Sequence, residues 1–399
     1  MSGGGLSAAR LRRMHDVMAS HVASGSIPGL VALVSRRGET HVEAHGTLAL
    51  GDSAPVRRDT IFRIASMTKP ITAAAAMTLV EECVLRLDEP LDPFLPELAN
   101  RSVLRRIDAA LDDTLPANRP LSLRDLLTFR AGYGYVMAPP GLCPLQKAME
   151  QAGVQPGPLP VAFSPDEFMK RLGALPLAHQ PGEQWLYHTA SDVLGVLIAR
   201  ASGQSLEAFL RARIFAPLGM NDTGFHVPAE KLERLASAYS GNQATRALEV
   251  FDDRMLSRYA RPPAFEAGGG GLVSTADDYL AFCRMLLAKG RAGRERILSR
   301  PSVELMTTDQ LTPAQREGGA MILGQGRGWG FGMSVVVRRD DLCASPGRFG
   351  WDGGYGTSGH SDPAEDLVGI LLTQRLMDSP NGPRVFRDFW TAAYQAIDD

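Results

Sequence analysis

Lysine is scarce in this chain: only five of its 42 lysine and arginine residues are lysine, at positions 69, 147, 170, 231 and 289. No basic stretch exceeds three residues and the net charge is −2, so the charge pattern gives no support for nucleic-acid binding. Long hydrophobic runs are missing too. Without 18 consecutive apolar residues no membrane-spanning helix is expected. The N-terminal MSGGGLSAARLRRMHDVM has arginines but no apolar stretch behind them, so no secretory signal is expected and the cytoplasm is the default location. Cysteine is rare and spread out, at 83, 143, 283 and 343. That argues for reduced thiols over a disulfide framework. With no C-x-x-C and no Cys/His cluster, neither a metal nor a cofactor is expected. There is also no G-x-S-x-G, which removes the usual nucleophile elbow of α/β hydrolases. His188 and His360 stand in no recognisable Ser–His–Asp arrangement.

What is present is ordinary in bulk and unusual at one point. The 399 residues are 44% apolar and 22% charged, as in globular proteins of one large or two smaller domains. Within them Ser66-Met67-Thr68-Lys69 is the one Ser-x-x-Lys. Arginine cannot give up its proton in a protein, whereas a desolvated lysine can. Residues three apart on a helix share a face, so a helix starting near Ser66 would stack the amine over the hydroxyl. Thr60–Ile64 reads as a short strand, Pro70 suits a first helical turn, and Thr72–Cys83 is rich in helix formers. The same residues also suit a serine N-cap followed by a surface lysine.

Strand signals sit at both ends. Gly29–Ser35 is a continuous apolar strand, followed by a turn and a second strand near Glu39–His45. Trp329–Val337, Arg348–Tyr355 and Leu367–Thr373 read as later strands. A helix is expected over about 6–24 and another at Val385–Ala396. The middle gives helices at Leu123–Thr128, Pro165–Leu172, Ala190–Ala201 and Ser205–Phe215, and Ser274 with Asp277 gives a capping signal. The expected fold is α/β (α+β): an antiparallel sheet flanked by helices, formed by residues 1–70 and 255–399, with a mainly helical domain at 71–254. Within the latter, a long Pro/Gly-rich loop at about 132–165 is a candidate lid or a plain surface connection.

Two further segments complement Ser66 and Lys69. Tyr187 lies between a turn and a helix, where a phenol beside positive charge could share a proton with Lys69. It suits core packing equally well. In Gly350–Gly356 four glycines let a strand edge approach closely, and the N–H of Gly354 could join that of Ser66 around an oxyanion. A tight bend would explain the glycines too.

Together, Ser66/Lys69, Tyr187 and Trp351-Asp352-Gly353 resemble the motifs of class C β-lactamase-like serine hydrolases, most closely the family VIII carboxylesterases. Arg63–Lys69, Leu126-Leu127-Thr128, Pro217–Met220, Gly269–Asp277 and Trp329–Gly332 extend the resemblance over about residues 10–395. It implies a nucleophile at Ser66, shared general-base duty for Lys69 and Tyr187, and an oxyanion hole at Ser66 and Gly354. It implies a small-molecule ester as the partner. Trp351, Gly353, Tyr133 and Tyr135 are the expected substrate-binding residues. Two departures matter. Tyr187-His188-Thr189 stands where β-lactamases read Tyr-x-Asn, and Trp351-Asp352-Gly353 stands where they read Lys-Thr-Gly. Without that cation, neutral, short-chain esters are the expected substrates in place of anionic peptides. A β-lactamase, a D-amino-acid peptidase or amidase, an acyltransferase and a non-catalytic binding homologue are the alternatives.

Overall fold

The two most apolar strands of the sequence lie side by side in one sheet. The computed structural model describes residues 4–136, 142–242, 244–245, 247–380 and 382–399. The strands of its main sheet, numbered along the chain, are β1 (Gly29–Arg36), β2 (Glu39–Gly46), β3 (Arg327–Trp329), β4 (Ser334–Val336), β5 (Phe349–Gly353), β6 (Thr357–Asp362) and β7 (Leu367–Thr373). Their order is β3-β4-β5-β6-β7-β1-β2, and every neighbouring pair is antiparallel. β1 and β7 pair with Leu33 opposite Ile370. Both are buried on both faces, which is why they read as unbroken apolar runs rather than alternating ones.

Helices α1 (Ala8–Ala23) and α5 (Arg384–Gln395) cover the outer face. There Met14 and Met18 pack with Leu30, Ala32 and Val34 of β1 and with Phe389 and Trp390. On the inner face lie α2 (Thr68–Glu81), α3 (Thr189–Ser202) and α4 (Ala276–Leu287). α2 is buried from Thr68 to Leu79. Its Ala73–Ala76 run has side chains small enough to let other elements close around it, as suits a helix with no solvent face. The antiparallel sheet drawn from both ends and the helices between match the expected fold class.

Several boundaries differ from expectation. Trp329–Val337 is not one strand but the hairpin β3–β4, turned at Gly332 with φ +73°. β6 went unread because its sequence, Thr-Ser-Gly-His-Ser-Asp, is polar although every residue is buried. The segment before Ser66 pairs as Phe62–Arg63 with Val273–Ser274, outside the main sheet. α4 is capped by Thr275, whose Oγ1 accepts the N–H of Asp278, one residue later than the Ser274 signal. The 132–165 stretch contains a helix at Pro144–Ala152, while residues 137–141 of it lie outside the described residues.

Candidate active site

A short left-handed kink delivers Ser66 to the start of α2. Ala65 has φ +44° and opens a 3₁₀ turn over Ala65–Met67 that runs directly into α2. Ser66 and Lys69 are thereby stacked, with Nζ 2.8 Å from Oγ. Lys69 is wholly buried. Loss of water pushes its pKa down to about 7, against a weaker opposing pull from Asp192.

Two acceptors fix the amine. Lys69 Nζ lies 2.5 Å from the Gly269 carbonyl oxygen and 3.1 Å from His188 Nδ1. His188 Nε2 is 3.2 Å from Asp192 Oδ2, and Asp192 Oδ1 accepts the Gly269 N–H at 2.8 Å. Nε2 therefore carries the imidazole proton toward Asp192, which leaves Nδ1 as an acceptor. A neutral lysine has two N–H groups and one lone pair. With Gly269 and His188 taking both N–H groups, the lone pair is left for the Ser66 hydroxyl. Burial and the neighbouring Lys69 hold the His188 pKa below its ordinary value, which keeps the ring neutral.

His188 holds this place at a cost. Its φ of 93° and ψ of −66° form a conformation that L-residues rarely adopt, worth about 1–3 kcal/mol of strain. In the sequence His188 stands out only as a Ser–His–Asp candidate, and its link to Lys69 emerges from the fold. The signal was present as His188 and Asp192, an i, i+4 pair at the start of α3.

Tyr187 reaches the serine from the other side. Burial raises its pKa well above the usual phenol value, against the pull of the neighbouring Ser66 and Trp351. Trp351 Nε1 donates to the phenol oxygen at 2.6 Å. Lys69 Nζ sits over the Tyr187 ring, 4.6 Å from its centre. The amine thus meets the ring face, while the phenol oxygen faces Ser66 and Trp351.

These groups open onto a cavity of about 1040 Å³ lined by Ser66, Tyr187, Trp351, Gly354, Tyr135 and Phe265 among others. Tyr135 stacks on Tyr187 with the ring planes 13° apart. Gln155 and Gly157–Ala162 also border it, so the Pro/Gly-rich stretch forms part of the wall. Two expected substrate-binding residues lie elsewhere. Tyr133 is buried in the core with its hydroxyl toward the Leu172 carbonyl, because that ring completes the packing beneath the loop. Gly353 is a packing glycine: a Cβ there would come 2.4 Å from the Ile64 carbonyl oxygen. Alternation along β5 turns Asp352 away from Trp351, to Ser358 Oγ at 2.5 Å and His360 Nε2 at 3.0 Å.

The chain has known relatives. Residues 14–388 match the beta-lactamase family. Protein Rv1367c of Mycobacterium tuberculosis is 39% identical over 363 residues, covering 89% of this chain and 88% of its own. Esterase EstB of Burkholderia gladioli is 33% identical over 391 residues, covering 93% and 92%. The solved structure of EstCE1, described as a hydrolase with promiscuous acyltransferase activity, superposes with a TM-score of 0.81 at 26% identity, covering 97% of this chain and 98% of its own. With a family match over nearly its whole length and an esterase relative above 30% identity, the chain belongs to the beta-lactamase family and is a serine hydrolase of that fold.

Proposed function

We propose that the protein is a serine esterase that cleaves small neutral esters, short acyl chains foremost, through an acyl-enzyme on Ser66. The observation that carries this reading is the buried Ser66–Lys69 pair, 2.8 Å apart, with a lysine that titrates at about 7. Neutral Nζ takes the Oγ proton as Oγ bonds to the ester carbonyl carbon, and the carbonyl electron pair moves to oxygen. The N–H groups of Ser66 and Gly354, both residues of the cavity wall, receive that oxyanion. Preorganised donors of this kind are worth about 10²–10³ in rate each. As the C–O bond breaks, the leaving alcohol takes a proton from Tyr187, and the proton gained by Lys69 resets the phenol. Water then enters, loses a proton to the same pair, and releases the acid.

Substrate charge follows from Trp351. Its indole N–H is committed to Tyr187, so this position offers a substrate carboxylate no charge, and the arginines of the cavity lining, Arg258 among them, belong to other parts of its wall. Burying such a carboxylate unpaired is costly. Asp352 also borders the cavity, with its carboxylate engaged by Ser358 and His360. A second reading is acyl transfer to an alcohol in place of water. The cavity of about 1040 Å³ has room for a second substrate, and the EstCE1 description names such an activity.

The test is a rate comparison of p-nitrophenyl esters of graded chain length with a chromogenic cephalosporin, on the natural chain and on Ser66→Ala. Short esters should turn over well and the cephalosporin slowly or not at all. Ser66→Ala should lose ester turnover and labelling by an organophosphonate. Substantial turnover by Ser66→Ala, or cephalosporin rates matching the esters, would overturn the reading.

A further inference from the structure

β2 carries His41, Glu43 and His45 at alternate positions, so the three share one face. The register sets them beside Val34, Ala32 and Leu30 of β1, which face the outer layer with Met14 and Met18 of α1. His15 of α1 meets this row. Its Nδ1 lies 2.7 Å from Glu43 Oε2, and His45 Nε2 lies 3.5 Å from the same oxygen. His41 Nε2 is 2.6 Å from the other oxygen, Oε1. The donor atoms of His15, Glu43 and His45 all fall within 4.8 Å of one another. His41-Val42-Glu43-Ala44-His45 is the signal that the expectation of no metal missed.

A hydrogen-bond network alone leaves this cluster incomplete. Glu43 is already engaged by His15 and His41, and His45 Nε2 is buried with no hydrogen-bond partner. An orphaned buried nitrogen costs free energy unless something fills the place. A cation bound by all three residues would fill it.

We propose that His15, Glu43 and His45 bind a zinc ion, with His41 or a water as fourth ligand, and that the ion clips the N-terminal helix to the edge of the sheet. Imidazole and carboxylate donors suit Zn²⁺, whereas Ca²⁺ and Mg²⁺ select all-oxygen sites. Tetrahedral ligands at zinc distances stand about 3.3 Å apart. The separations of 2.7 Å and 3.5 Å straddle that value, the widest of the three is no more than 4.8 Å, and His15, with its side chain 52% exposed, stands on the solvent side of the cluster. β2 is the outermost strand on its side of the sheet. An ion holding α1 against it would keep that edge covered and stabilise the fold by binding only the folded chain. None of the four residues lines the active-site cavity, so the site is independent of the esterase reading.

The experiment is calorimetric titration of ZnCl₂ into the full chain, first stripped with chelator and dialysed, together with thermal melts with and without zinc. One equivalent should bind at low-micromolar affinity or tighter and raise the Tm. Glu43→Gln and the double variant His15→Ala/His45→Ala should each lose about 10²-fold in affinity or more, and zinc should no longer raise their Tm. Ester turnover without zinc reports that each variant is folded. Should Glu43→Gln fail to fold, His15→Ala, on the exposed side of the cluster, carries the test. No binding by the natural chain, or equal binding by the double variant, would overturn the proposal.

Discussion

At the scale of single residues, the chemistry depends on how Lys69 is kept dry and what holds its amine. His188 does both, with its ring against Nζ and its Nε2 anchored on Asp192. If Lys69 is the base, activity should rise with pH through about 7 as the amine loses its proton, then level off. His188→Ala removes an acceptor and admits water to Nζ. Solvation favours the charged amine, so the lysine pKa climbs toward its ordinary value and the acid limb of the pH–rate profile moves up. The kcat at neutral pH should fall by about 10–10²-fold, with KM little changed. His188→Asn, which restores a short acceptor, should recover part of both effects. A profile unmoved in His188→Ala, with kcat lost equally at every pH, would reduce His188 to a packing residue. The left-handed backbone at 188 sharpens the case, since strain of that kind is ordinarily relieved unless the side chain is required.

At the scale of elements, the site is made by a close approach between the β5 end and the strand-to-helix segment at 62–68. Gly353 permits that approach. A methyl there would meet Thr357 Oγ1 at 2.2 Å and the Ile64 oxygen at 2.4 Å, both parts of the wall that seats Ser66. Gly353→Ala should therefore lower stability by about 1–3 kcal/mol and reduce kcat, read by denaturant melts and ester turnover. An alanine variant of unchanged stability and rate would mean that β5 has slack. Strong periodic signals made much of this legible in sequence. The apolar runs of β1 and β7, the helix after Ser66, and Tyr187 just before α3 all lie where the pattern puts them. The polar strand β6 was not legible, because some of its buried side chains find partners far along the chain: Trp390 for Ser358, Tyr394 for Asp362. For the same reason Tyr133 read as a pocket aromatic. Sequence gives ring chemistry, but whether the ring lines a cavity or fills a core depends on tertiary packing. The Lys69–His188–Asp192 chain spans 123 residues and becomes visible only when α2 and α3 are packed together.

At the scale of the whole molecule, one set of buried groups, Lys69, His360 and three aspartates, pushes stability in a single direction with pH. Burial lowers the pKa of Lys69 to about 7, and that of His360 from its ordinary 6.5 to about 4, aided by the nearby Arg348 cation. For both, the unfolded chain binds a proton more readily than the folded one, so stability rises with pH across the gap between the two values. Going down in pH, Lys69 has exerted its full cost by about 7, and His360 begins to cost near 6.5 and completes near 4. Hydrogen bonds and charge pairing hold Asp192, Asp252 and Asp352 below the ordinary carboxylate range despite their burial. Their contribution is present above that range and lost as pH falls through it. The melting temperature should accordingly drop between pH 7 and 4 before the carboxylates titrate, with His360 responsible for up to about 3 kcal/mol of that slope. His360→Gln keeps a donor toward Asp352 but cannot take up a proton. It should flatten the Tm–pH curve between 6.5 and 4 and leave the region above pH 7 alone. A natural chain whose Tm is level from pH 7 to 4, or a glutamine variant with the same slope, would show that His360 titrates normally and that water reaches the space between the sheet and the C-terminal helix.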